Sequence, residues 1–157
     1  MPVQEWRINT REAYAGEQYG LATTNSQRLT YNAEVEMANF GLAVIQGTES
    51  NQVKLGAPVA GQILGVTMRQ INIESATRPG NGTVAIKEGW PLGVMISGPI
   101  MVKLKTAITD ENVGVSAVGE FGGVDGTYLA VDNVKALRWP AAAGDVVPVM
   151  INVLPKA

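Results

Sequence analysis

The chain has 157 residues, with 12 lysines and arginines against 14 aspartates and glutamates, and neither histidine nor cysteine. One domain of this length buries about 70% of its unfolded surface and needs no disulfide or metal to fold. The missing residue types exclude Ser-His and Cys-His nucleophilic sites and zinc held by imidazole or thiolate. A net charge of −2 speaks against nucleic acid as the partner.

The first 20 residues carry Glu5, Arg7, Arg11, Glu12 and Glu17, so they hold no apolar signal core. The uncharged stretch 90–102 is broken by Pro91, Gly93, Gly98 and Pro99. It falls short of the ~20 residues of a spanning helix. No membrane partner is expected, and the chain reads as made without an export signal.

Residues 1–38 hold Trp6, Tyr14, Tyr19 and Tyr31 among small and polar residues, with Arg7, Arg11 and Arg28 between them. No period is sustained there, although 28–33 fits one strand. An unpatterned segment with scattered aromatics builds no core of its own, but it can lie across its own domain or a partner. We read 1–38 as an N-terminal arm and 39–157 as the folded body.

From Phe40 onward the texture is β. Apolar or alternating runs fall at 40–46, 53–55, 62–69, 70–73, 83–87, 92–96, 100–105, 113–118, 128–131 and 146–153. Ser97-Gly98-Pro99 reads as a tight connection between two of them. Ile100, Val102 and Leu104 share one face of their run, and Met101, Lys103 and Lys105 the other. The two lysines read as protection of an edge strand, and Pro148 places the last strand at an edge or on a bulge. Many short strands separated by glycine and proline turns predict an all-β sandwich or closed barrel.

Chemistry-bearing residues are few. Asp110-Glu111 beside Asn112 reads as a solvated turn, because neighbouring carboxylates on an extended chain point to opposite sides. Asp125-Gly126 reads as a turn, since the repeated oxygen donors of a calcium loop are missing. The glycines at 119, 122, 123 and 126 lack the following helix and Lys-Ser/Thr of a phosphate loop. Asn81-Gly82-Thr83 reads as a turn rather than a glycosylation site. Trp90 and Trp139 each precede a proline, which fixes their backbone and makes them candidate subunit or ligand contacts. No cofactor, metal or catalytic set is expected, and the chain is not read as an enzyme.

Four stretches resemble the capsid decoration, or structural cement, proteins of tailed bacteriophages. They are Ala13-Tyr14-Ala15-Gly16 with the following Ser26-Gln27-Arg28, Asn39-Phe40-Gly41-Leu42-Ala43-Val44, Gly65-Val66-Thr67-Met68-Arg69 within 63–69, and the glycine–strand–glycine–strand pattern of 88–102. The connection 72–82 is longer and more polar than the family pattern. The resemblance implies a jelly-roll-like β-barrel or sandwich with an extended N-terminal arm. It implies a virion protein, made in the host cytoplasm, that binds the major capsid protein on the outer face of the shell and bridges neighbouring subunits. Decoration proteins of this kind sit at two-fold or three-fold seams, so a homo-oligomer, dimer or trimer, is expected. Trp6, Arg7, Arg11, Tyr14 and Tyr19 would anchor the arm, with Arg28 and Tyr31 near its root. The competing reading is a β-sandwich module of a phage spike or fibre that recognises a receptor or carbohydrate by stacking on Trp90 or Trp139. An enzyme using carboxylate, lysine, serine or tyrosine, and a barrel for single-stranded nucleic acid, are weaker readings.

Overall fold

The computed structural model describes residues 15–19, 26–70 and 86–152. Nine strands run in chain order: β1 Gln27–Ala33, β2 Ala43–Gln46, β3 Gln52–Leu55, β4 Gly65–Thr67, β5 Pro91–Lys103, β6 Asn112–Val115, β7 Phe121–Gly122, β8 Leu129–Ala136 and β9 Val146–Ile151. No helix occurs among the described residues, so the all-β reading holds.

The first five strands close into a barrel in the order β1-β3-β2-β4-β5, with β5 returning to β1. Every neighbouring pair is antiparallel except β1 and β3. Residues 27–33, on the arm side of residue 38, thus form a strand paired on both sides. Inside the barrel lie Ala33, Met37, Phe40, Val44, Val53, Ile86, Leu92 and Val94. Strand alternation sends the neighbours of these residues outward. Ala43, Val66 and Met95 leave the barrel and enter a second core.

That second core is completed by a sheet in the order β5-β9-β8-β6-β7. Its inward residues include Ile100, Val102 and Leu104 of the β5 run and Val147, Val149 and Ile151 of β9. The face assigned from the alternation of 100–105 is therefore the buried one. A parallel bridge from Leu104 to Phe121 curls the far edge of this sheet back onto the end of β5. Phe121 is almost wholly buried, which contributes about 2–3 kcal/mol from its ring.

Three sequence expectations are corrected. Ser97-Gly98-Pro99 is not a connection, because β5 runs through it as one strand of 13 residues. Its first half, to Ser97, pairs with β1 and β4, and its second half, from Gly98, with β9. Gly98, at φ +127°, takes the bend where the strand passes from barrel to sheet. Lys103 and Lys105 consequently do not guard an edge: Lys103 pairs opposite Val146, and Lys105 donates its N–H to Phe121 O at 2.8 Å. Pro148 is also interior, between β5 and β8. Its carbonyl accepts from Leu137 N–H, one residue beyond the end of β8. A residue's N–H and C=O point to the same side, so the donor that proline lacks falls at the last rung of that ladder.

Candidate functional site

Residues 15–19 form the root of the N-terminal segment, and they are stitched to the body as a short extra strand. Gln18 bridges Ile100 antiparallel. Tyr19 N–H donates to Pro99 O (3.2 Å), Met101 N–H to Glu17 O (2.8 Å) and Gly16 N–H to Met101 O (2.8 Å). On its other side, Arg69 N–H donates to Gly16 O at 2.9 Å. The root therefore lies between the second half of β5 and the chain leaving β4.

Side chains secure the same contact. The Arg69 guanidinium pairs with the Glu17 carboxylate, both partly shielded from solvent. Arg28 at the start of β1 donates to Gln18 Oε1 (2.7 Å), whose amide nitrogen donates to Ser26 Oγ (3.1 Å). A Cβ on Gly16 would stand 2.8 Å from Arg69 N and 2.9 Å from Phe40 Cβ. Gly16 also holds φ +88°, and Gly41 beside it +75°. Only glycine meets both demands without strain. Three of the sequence motifs thus meet at one place: Gly16 from the first, Phe40-Gly41 from the second and Arg69 from the third. Their convergence, and the Glu17–Arg69 pair, are not visible in the sequence. The one hint is a single arginine closing an otherwise apolar run.

The predicted site residues distribute as follows. Trp6, Arg7, Arg11 and Tyr14 lie outside the described residues, as do Asn81-Gly82-Thr83 and the 72–82 connection. Tyr19 is half exposed beside Pro99. Arg28 is exposed, and Tyr31 packs against the core of the first barrel. Trp90 packs against that core too, with Lys87 Nζ 5.8 Å from its ring centroid. Trp139 is 46% exposed in the loop between β8 and β9. The fold does not bring the two tryptophans into one core: Trp90 belongs to the first barrel and Trp139 stands beside the second sheet.

The polar turns are occupied by local bonds. Asp110 Oδ1 accepts from Asn112 N–H (2.9 Å). Asp125 Oδ1 accepts from Tyr128 N–H (2.8 Å) and Thr127 N–H (2.6 Å), and these two bonds lower its pKa. In the glycine-rich loop, a Cβ on Gly122 would meet Thr106 Oγ1 at 2.4 Å and one on Gly123 would meet Ala107 O at 2.4 Å. Those two glycines permit close packing, not a cradle for phosphate. Glu34 accepts from Thr48 Oγ1 (2.6 Å) and Thr48 N–H (2.9 Å), clipping the turn after β2. The hydroxyl bond, then the backbone bond, and lastly Lys54 hold its pKa below the ordinary value.

The profile of the family described as "Structural cement protein (E217 gp24/Pam3 gp6)" matches residues 3–152. The chain belongs to the phage structural cement protein family. Membership makes it a structural protein of the virion with a capsid-stabilising role and association with the shell. No curated protein matches the chain. Among solved structures, it is similar to the head fibre gp8.5 N base of bacteriophage phi29 at 19% identity, with a TM-score of 0.44. That similarity covers 81% of this chain and 94% of the other. Within the family match, the arm root is the place where the four quoted motifs are physically joined, since the fourth contributes Pro99 and Met101.

Proposed function

We propose that this cement protein binds the outer face of the capsid and bridges neighbouring major capsid subunits through its N-terminal arm. The observation that carries the reading is the docked root at Gly16–Tyr19. It ties the residues before Ala15 to a rigid sheet rather than to a free linker. Trp6, Arg7, Arg11 and Tyr14 are the arm anchors, and Tyr19, Arg28 and Tyr31 belong to its root. Pressure from packaged DNA pulls on subunit seams, and a clamp across each seam raises the free energy of separation. One clamp contributes only its own interface, but many copies act together. A fixed root also lowers the entropy lost when the arm is ordered on its partner.

The test is the heat stability of matured empty shells with and without saturating protein. Decorated shells are expected to disassemble at a higher temperature. A Trp6→Ala/Tyr14→Ala variant is expected to need a higher concentration for the same effect. Unchanged shell stability at full occupancy would remove the bridging role. The half-exposed Trp139 favours a second reading, a receptor- or carbohydrate-binding module. Quenching of its fluorescence by one member of a glycan panel would support that reading, and no quenching across the panel would dismiss it.

A further inference from the structure

The second sheet opens where β6 and β8 part. Their register runs from Asn112 opposite Lys135 to Gly114 opposite Ala130, so β6 advances two residues while β8 advances five. The extra residues of β8 leave the ladder, and a cleft of about 390 Å³ lies there, a volume that takes up a ligand. Asp110, Asp132 and Lys135 line it, with Ala107 and the half-exposed Val124. Both carboxylates are exposed. Asp110 Oδ1 caps Asn112 N–H, and Lys135 Nζ is held by Asn112 Oδ1 at 2.6 Å rather than by either carboxylate. Among the described residues no cation pairs with Asp110 or Asp132. Glu111 and Asp125 stand next in sequence to lining residues, so the local balance is four carboxylates to one ammonium. Such a cleft favours a cationic occupant.

The N-terminal segment points toward this cleft. The bridge between Gln18 and Ile100 is antiparallel, which sets Ala15 level with Lys103. The chain before Ala15 therefore heads along β5 toward the C-terminal end of that strand. At that end Lys105 N–H meets Phe121 O, and Ala107 lies against Gly123. Ala107, Gly123 and Val124 are walls of the cleft. The four residues from Lys103 to Ala107 span at most about 13 Å, as do the four from Ala15 back to Arg11, and Arg7 lies about 13 Å further along an extended arm. Both arginines are within reach. Between Glu5 and Glu12, the stretch Trp6-Arg7-Ile8-Asn9-Thr10-Arg11 holds both arginines and no acid. In an extended chain Arg7 and Arg11 share one face, and Trp6 and Ile8 share the other.

We infer that in the free protein the chain's own arm lies in this cleft, with Arg7 and Arg11 meeting the acidic rim of Asp110 and Asp132. The inference concerns the chain before it meets a shell and does not rest on the shell-binding reading. Where both hold, cleft and shell compete for the same arginines, and the cleft keeps the arm in reserve until a shell displaces it.

The experiment is limited trypsin digestion of the full chain, with cleavage after Arg7 and Arg11 followed by mass spectrometry. A synthetic peptide of residues 1–19 gives the unprotected rate. Wild type is compared with Asp110→Asn/Asp132→Asn, which keeps the Oδ1 that caps Asn112, and with a control, Glu49→Gln, between β2 and β3 of the first barrel. Circular dichroism melting verifies that each variant is folded. Wild type is expected to be cut at least about tenfold more slowly than the peptide, and the double variant at least about fivefold faster than wild type. The control is expected to match wild type, and added salt to speed the cutting of wild type. Dilution is expected to leave the wild-type rate unchanged, since the contact lies within one chain. Cleavage of wild type at the peptide's rate would overturn the inference, and so would equal rates in wild type and the double variant. Protection that fades on dilution would overturn the contact within one chain and assign the cleft to a neighbouring copy's arm.

Discussion

Gly16 and Gly41 lie against each other so closely that a Cβ on either would stand 2.8–3.0 Å from the other's backbone nitrogen. The contact joins residues 25 positions apart, one in the arm root and one before β2. It lets the root reach Met101 and Arg69 at hydrogen-bond distance. Gly16→Ala or Gly41→Ala is expected to destabilise the chain by about 1–2 kcal/mol from the left-handed backbone alone, with the clash adding to it. The two losses are expected to be non-additive, because either one opens the same contact. Urea midpoints of the single and double variants check this.

The Glu17–Arg69 pair is partly shielded and reinforces the same root. Arg69→Ala is expected to cost ~1 kcal/mol, with a coupling to Glu17→Ala of similar size. Limited proteolysis should cut near residue 20 sooner in either variant. A double-mutant cycle with no coupling would show that the backbone bonds alone hold the root.

Asn133 is a buried amide that donates to Ile63 O (2.9 Å) and accepts from Ile63 N–H (3.2 Å). It ties β8 to the loop before β4. Asn133→Leu keeps the branched shape but strands both backbone groups. The expected loss is about 2–4 kcal/mol, read from the denaturation midpoint.

The Glu34 clip on Thr48 makes stability depend on acid. Its pKa in the folded chain lies below the ordinary 4.5. The contribution of the ionised group is therefore complete above 4.5 and is lost as the pH falls through the lower folded value. Glu34→Gln is expected to be less stable than wild type at neutral pH, with the gap narrowing as the medium is acidified past that value. Urea midpoints across the range test this, and a gap independent of pH would contradict it.

Much of the fold was readable because alternation and turn residues are local. The β2, β3, β6 and β9 runs, and the buried face of 100–105, follow from period two and from glycine or proline punctuation. What failed was long-range. Gly98-Pro99 has the composition of a turn, yet tertiary pairing to β9 and to the root holds it extended. Pro148 signals an edge, yet register puts its missing donor at a ladder end. The short β7 is hidden in a glycine-rich loop, because glycines there serve close packing against Thr106 and Ala107. Of the site, the aromatic and arginine types were visible, but the docking of the root was not. It joins residues 16–19 to 41, 69 and 99–101, and only tertiary pairing brings them together.

The most direct measurement is co-sedimentation with matured empty shells, comparing the full chain with one lacking residues 1–14. That deletion spares the docked root at 15–19, and circular dichroism melting verifies that the shortened chain is folded. The account predicts saturable binding of the full chain at a fixed ratio to the major capsid protein, and a large loss of binding without the arm. Equal binding by both forms would contradict the clamp, and no binding by the full chain would contradict the shell as partner.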